Sequence, residues 1–240
     1  MSRVFKDCKE AISEIYRDVV EMGIKVHPAS MQNKVVKGDE NFATLEITNY
    51  TYCLLSLQQS EFLFLHEDTR EWVKAEFAER VDTEGVFNNP GKAWKLRPET
   101  WEQFLNTKGK FDYTYSERFN EFFSLDAIID ELILNPDSRQ CILSVWDRRD
   151  IEGFRGRKRI PCSIYYQFLL REGKLSIIYN QRSADAVTHF GNDIALAWML
   201  KDYVADKVGV ESGYLHHNIG SLHVYFKDLN TLKKCVTEML

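Results

Sequence analysis

The sequence predicts an α+β fold organised as one domain over residues 1–240, on three observations. Runs rich in β-branched and aromatic residues are interspersed with segments of helical spacing. Two strand-like runs, residues 159–167 and 175–179, are joined by the tight Arg171-Glu172-Gly173-Lys174 turn and read as a β-hairpin. No internal repeat, composition break or Ser/Gly/Pro linker divides the chain.

Taken in order, residues 3–22 have helical spacing, with Val4, Phe5, Cys8, Ile12, Ile15, Tyr16, Val19 and Val20 on one face and Gly23 as the C-cap. Residues 26–41 are polar and turn-rich, and residues 43–57 read as a strand. A helix is expected over 68–78, with Trp72, Ala75, Phe77 and Ala78 packed and Glu71, Lys74 and Glu79 outward. Residues 82–97 read as a loop punctuated by Asn88-Asn89-Pro90-Gly91. A short helix over 99–106 follows Pro98, then a longer one over 119–134. Residues 140–146 read as a strand and 147–158 as a charged loop. After the hairpin come a helix over 194–208, a strand over 221–226 and a terminal helix.

The bulk numbers exclude several classes. A formal charge of −5 argues against a nucleic-acid-coating surface, and 44% apolar with 28% charged residues is ordinary for a globular chain. No apolar run approaches the roughly 20 residues of a membrane span, and the N-terminus lacks a signal-peptide core, so a soluble cytoplasmic protein is expected. The five cysteines are scattered, with no CxxC, and signal neither a disulfide scaffold nor a zinc site. His216-His217 is no better a metal pair, since adjacent strand residues face opposite ways. No metal is expected.

The hairpin carries the chemistry. Cys162 follows Pro161 on one arm, and Arg182, Ser183 and Asp185 cluster at the end of the other. A cation beside a thiol favours the thiolate and makes it a nucleophile. On these residues alone, the reading of Cys162 as a core thiol and Arg182 as a surface charge keeps the advantage.

Four motifs in order change that balance. Asn135-Pro136-Asp137-Ser138-Arg139, Pro161-Cys162 followed by Tyr165-Tyr166-Gln167, Gln181-Arg182-Ser183-Ala184-Asp185, and Gly220-Ser221-Leu222-His223-Val224-Tyr225 together resemble the thymidylate synthase family. Glu76, Trp101 and Tyr115 fit family positions more loosely. The resemblance implies a mixed sheet with flanking helices, one sheet face forming a homodimer interface, and 5,10-methylenetetrahydrofolate as one-carbon donor. It implies Cys162 as the nucleophile at pyrimidine C6, activated by Arg182, with Ser183 and a partner-borne Arg139 on the phosphate. His223 and Tyr225 would hold the sugar, and Gln181 would join the nucleotide site. Glu76 would relay protons and Tyr115 assist loss of the C5 proton. Asp185, Trp101 and His189 fall on the folate side.

Asp193 falls where thymidylate synthases carry an asparagine that reads uracil. An ionised carboxylate accepts from a 4-amino group but cannot donate to O4, so it suits cytosine. This pattern is similar to that of the phage deoxycytidylate hydroxymethylases, and implies 5-hydroxymethyl-dCMP as product, in host cytoplasm. The competing structural reading is Asp193 as the cap of a helix beginning at Ile194. Alternatives within the resemblance are a dUMP hydroxymethylase, a pyrimidine nucleotide C5-methylase, and a non-catalytic nucleotide-binding homologue. Departures from the pattern are Gln140 for a second arginine, with Lys34 a candidate replacement, His189 for glycine, and Ser163 for histidine. Only fifteen residues follow Tyr225, so closure over folate is expected to differ from that of the family.

Overall fold

The computed structural model describes residues 3–32, 34–57, 67–82, 89–121, 124–156 and 158–238. In chain order the strands are β1 (Arg3–Phe5), β2 (Ile24–Val26), β3 (Ser30–Met31), β4 (Lys34–Val35), β5 (Thr44–Leu54), β6 (Ile142–Ser144), β7 (Ser163–Arg171), β8 (Lys174–Asp185) and β9 (Glu211–Tyr225). The helices are α1 (Cys8–Met22), α2 (Glu67–Val81), α3 (Pro98–Trp101), α4 (Tyr115–Asn120), α5 (Ser124–Leu134), α6 (Asp150–Gly156), α7 (Phe190–Val208) and α8 (Leu229–Glu238). Among the described residues no helix is long and apolar enough to cross a membrane.

A seven-stranded mixed sheet runs β1-β5-β9-β8-β7-β6, with β2 also on β5; β3 and β4 pair separately. The hairpin is present as expected. β7 and β8 are antiparallel, and Glu172 and Gly173 both take positive φ (52° and 74°). Two successive left-handed residues match the twist of the flanking strands, as a two-residue hairpin turn requires. β8 and β9 are parallel, so α7 bridges them as a crossover. A bulge at Ser163/Tyr165 interrupts the ladder one residue after Cys162.

One face of this sheet builds both core and site. On β8, Leu175, Ile177, Tyr179 and Gln181 are buried, and Ser183 and Asp185 follow at the same period-two spacing. On β9, Leu215, His217 and Ile219 are buried before Ser221, His223 and Tyr225. The strands thus pass from a core packed by α1 and α7 into an open cavity at one end of the sheet.

Several local expectations are corrected. Residues 3–5 are a strand, because Val4 pairs with Cys53 and Asp7 starts the helix by accepting from Glu10 N at 2.9 Å. Gly23 caps that helix in an extended conformation (φ −63°), not the left-handed one; Gly209 (φ 78°) supplies such a cap after α7. The helix expected over 119–134 is two, since a Thr114–Glu117 capping box opens α4 and Glu121 leaves helical geometry at ψ 125°. The charged loop over 147–158 contains α6, opened by the Asp147 N to Asp150 Oδ2 bond at 2.8 Å. In α2, Glu79 turns inward to accept from Ala93 N at 2.9 Å, and Ala78 is exposed. α7 begins at Phe190, so Asp193 lies inside its first turn and is not its cap. β9 extends ten residues further upstream than expected, because its histidines and asparagine mask the apolar alternation. Asn88 of the expected 82–97 loop lies outside the described residues; Ala93–Leu96 form a 3-10 turn.

Candidate functional site

The open end of the sheet forms a cavity of about 520 Å³. It is lined by Cys162, Glu76, Tyr115, Arg182, Gln181, Ser183, Asp193, His223, Tyr225, Asp185, Trp101 and His189. Every site residue expected from the sequence is therefore brought together, except Arg139. That residue is exposed outside the cavity, in the turn after α5, where its carbonyl accepts from Gln167 Nε2 at 3.1 Å. Lys34 is spent on the Gln103 side chain.

Cys162 is partly exposed, and its Sγ sits 3.7 Å from Arg182 Nη2, 3.9 Å from Ser183 Oγ and 3.8 Å from Gln32 Nε2. Arg182 is held rigidly for this. Its Nε donates to Pro161 O at 2.8 Å, Nη2 to Ile160 O at 3.2 Å and Nη1 to Ser183 Oγ at 3.1 Å. The two arms are also stitched by Arg182 N to Cys162 O at 2.8 Å. Gly220 keeps the neighbouring strand close, since a Cβ there would stand 2.8 Å from Arg182 O.

Beside the thiol lies a cluster of hydroxyls on Tyr115, Ser163 and Tyr179. Ser163 Oγ is 3.0 Å from Tyr115 OH and 2.7 Å from Tyr179 OH. Burial pushes the phenols of Tyr115 and Tyr179 well up, so both stay protonated. Tyr115 packs under the Arg80 guanidinium, whose carbon is 3.8 Å from the ring centroid. Arg80 in turn pairs with Glu76 at 2.9 Å, which fixes that carboxylate at the cavity wall.

Asp193 accepts from Gln181 Nε2 at 2.6 Å through Oδ2. Among the described residues its other oxygen has no donor. Burial raises its pKa to about 6, against the opposing influence of the Gln181 bond and Arg80. His189 is driven the other way, down to about 4, chiefly by burial and then by the Arg97 and Arg159 cations, so its imidazole is neutral. It lies 5.4 Å from the Trp101 ring. Asp185 Oδ1 accepts from Val187 N at 3.1 Å and Thr188 N at 3.3 Å, shaping the turn into α7. His223 meets Tyr225 edge-on at 5.2 Å.

Several lining residues were not anticipated. Arg80 could have been found from its i,i+4 spacing to Glu76. Gln32 carried no sequence signal of a site role. Arg159 is boxed by Trp101 and Tyr113, both 4.9 Å away, and by Phe104 at 5.2 Å. Among the described residues no group of three or more His, Cys, Asp or Glu could hold a metal ion.

This arrangement can add a thiolate to an electrophilic carbon beside a bound anion, with proton carriers on either side. The thymidylate synthase family model matches residues 90–239. A thymidylate synthase of Listeria monocytogenes serotype 4b (strain CLIP80459) is 29% identical over 171 residues, covering 66% of this chain and 54% of that protein. A putative thymidylate synthase of Methanocaldococcus jannaschii is 36% identical over 145 residues, covering 56% of this chain and 65% of that protein. The chain spans about half the length of the Listeria relative. With the match over residues 90–239 taking in the nucleophile, arginine and sugar motifs, the chain belongs to the thymidylate synthase family.

Proposed function

We propose that this protein transfers a one-carbon unit to C5 of dCMP, giving 5-hydroxymethyl-dCMP, through a covalent adduct of Cys162 at C6. The observation that carries the choice of base is Asp193: one oxygen is held by Gln181 and the other is open to the cavity as an acceptor. A cytosine 4-amino group satisfies it; a uracil O4 would face it as a second acceptor.

The family's one-carbon donor is 5,10-methylenetetrahydrofolate. The cavity suits such a flat heteroaromatic: Trp72 and Trp101 stack at 5.6 Å, and the buried indole N–H groups of Trp94 and Trp101 have no acceptor among the described residues. When bound, folate supplies the carbon as an electrophile. The chain's own residues do the rest. Sγ of Cys162 bonds to C6, which places electron density on C5 for bond formation to the incoming carbon. Arg182 and Ser183 hold the phosphate, with Arg139 reaching the site of a neighbouring copy in a homodimer. His223 and Tyr225 take the sugar 3′-hydroxyl. Glu76 relays protons through water, and Tyr115, as a neutral hydroxyl bonded to Ser163, passes on the C5 proton. A water oriented by the neutral His189 imidazole takes the place of the folate nitrogen on the transferred carbon, giving its proton to the Glu76 relay and completing the hydroxymethyl group, and Sγ then leaves C6.

Release of tritium from C5-labelled dCMP in the presence of methylenetetrahydrofolate tests this, with loss in Cys162→Ala expected. Release from dUMP but not from dCMP would overturn the choice of base. Product mass separates addition of CH₂O from addition of CH₂.

A further inference from the structure

We infer that Tyr52, His217 and Gln181 form a one-way hydrogen-bond relay that holds Asp193 Oδ2 as an acceptor, and that Tyr52 and His217, which lie outside the cavity lining, set the choice of base through Gln181. The inference rests on the proposed role of Asp193. His217 entered the sequence reading only as half of a rejected metal pair, and no part of the proposed mechanism uses it.

Three atom-to-atom contacts define the direction of the chain. Tyr52 on β5 stands opposite His217 on β9 in register, and their OH and Nδ1 are 2.9 Å apart. His217 Nε2 is 3.0 Å from Gln181 Oε1, and Gln181 Nε2 is 2.6 Å from Asp193 Oδ2. Tyr52, His217 and Gln181 are 0%, 0% and 2% exposed. Water therefore cannot substitute for a missing partner.

Working inward from the carboxylate, each choice forces the next. An ionised Asp193 only accepts, so the nitrogen end of the Gln181 amide must face it. The amide oxygen then faces His217 Nε2, which must carry the ring proton. Burial lowers the His217 pKa to about 3, so the ring holds a single proton and Nδ1 is bare. Nδ1 accordingly accepts from the Tyr52 hydroxyl. All three donors point toward Asp193.

The ring is also locked in plane. His217 stacks on Tyr179 at 4.4 Å and 15°, and Tyr179 stacks on Tyr166 at 4.5 Å and 14°. Flipping the Gln181 amide alone would set oxygen against carboxylate and N–H against N–H, so the whole chain must reverse together. Reversal would require a hydrogen donor at Asp193. The relay therefore keeps Oδ2 an acceptor turned inward and, with the carboxylate ionised, leaves the outer oxygen available for an amine. It also predicts the behaviour of Asp193→Asn: Gln181 Nε2 would fix the new amide oxygen inward and aim its NH₂ at the base.

Calorimetric binding of dCMP and dUMP tests this without relying on turnover, with deoxyribose 5-phosphate as a control ligand for the phosphate and sugar contacts. His217→Phe keeps a stackable ring and removes both nitrogens. The dCMP-over-dUMP preference should fall about tenfold, as for loss of one hydrogen bond to a charged group, while deoxyribose 5-phosphate affinity is unchanged. Tyr52→Phe removes only the hydroxyl and should lower the preference severalfold in the same direction. An unchanged preference in a folded Tyr52→Phe or His217→Phe protein overturns the relay. Asp193→Asn separates the two readings. If it reverses the preference while His217→Phe does not alter it, the relay alone fails; if it leaves the dCMP preference intact, the base-reading role of Asp193 fails.

Discussion

Arg182 is held beside Cys162 by the nucleophile's own segment: it donates to the carbonyls of Pro161 and Ile160 while its Nη2 reaches 3.7 Å from Sγ. The cation cannot drift from the thiol without breaking both carbonyl bonds. Arg182→Lys offers one compact ammonium for these several geometries. C5 tritium release should drop about a hundredfold, with nucleotide affinity weakened as well, as read from steady-state kinetics and calorimetry.

Cys162→Ser puts a hydroxyl of similar size in place of the thiol and loses the sulfur. Tritium release should become undetectable. Binding of dCMP should stay within about threefold of the parent, because the proposed phosphate and sugar contacts lie on Arg182, Ser183, His223 and Tyr225.

Asp193 has a pKa of about 6, above the ordinary carboxylate value of 3.8. Its charge is thus a cost to the folded state that is absent below about pH 4 and complete above about pH 6. Asp193→Asn should be more stable than the parent at pH 8, and the gain should shrink as pH falls through 6. Under the proposed reading of Asp193, the same titration governs the choice of base. Protonation supplies a donor that a uracil O4 can accept, so dCMP selectivity should decline below pH 6 in paired affinity measurements.

His189 gives the opposite sign. Its pKa is lowered to about 4 from 6.5 by burial, so the unfolded chain takes up a proton that the folded one refuses. That contribution costs nothing above pH 6.5 and grows as pH falls toward 4. His189→Asn should therefore lose less stability on acidification than the parent, as followed by thermal melts from pH 7 to 4.5.

Arg80 is 5% exposed and pairs with Glu76 at 2.9 Å. Arg80→Leu strands that carboxylate and removes the cation from Tyr115. A loss of about 3 kcal/mol is expected in denaturant unfolding, whereas Glu76→Gln combined with Arg80→Met should recover much of it.

The hairpin was legible because its information is local. Glu172-Gly173 adopts the two left-handed conformations such a turn demands, and the flanking strands alternate, so Cys162 and Arg182 had to approach each other. Helix boundaries were less legible. Val4 and Phe5 continued the α1 periodicity by coincidence, while strand pairing to Cys53 and Leu54 and the Asp7 cap determined their state. Glu76 was recognisable as a site residue, but its partner Arg80 and the inward turn of Glu79 became evident only once α2 was seen lying along the cavity.

By itself the sequence determined which reactive groups the chain carries: a thiol after a proline, an arginine twenty residues on, a strand with His223 and Tyr225, and a carboxylate at Asp193. Those features are residue types at fixed short spacings, and the chain carries them in any conformation. Only the tertiary structure decided what that carboxylate contacts. Tyr52, Gln181, Asp193 and His217 are remote from one another in sequence, and lie on three strands and a helix. Their contact depends on sheet order β5-β9-β8 and on α7 crossing beside it. Hydrogen bonds are short-ranged and directional, so a relay of this kind exists only after long-range pairing has set its register.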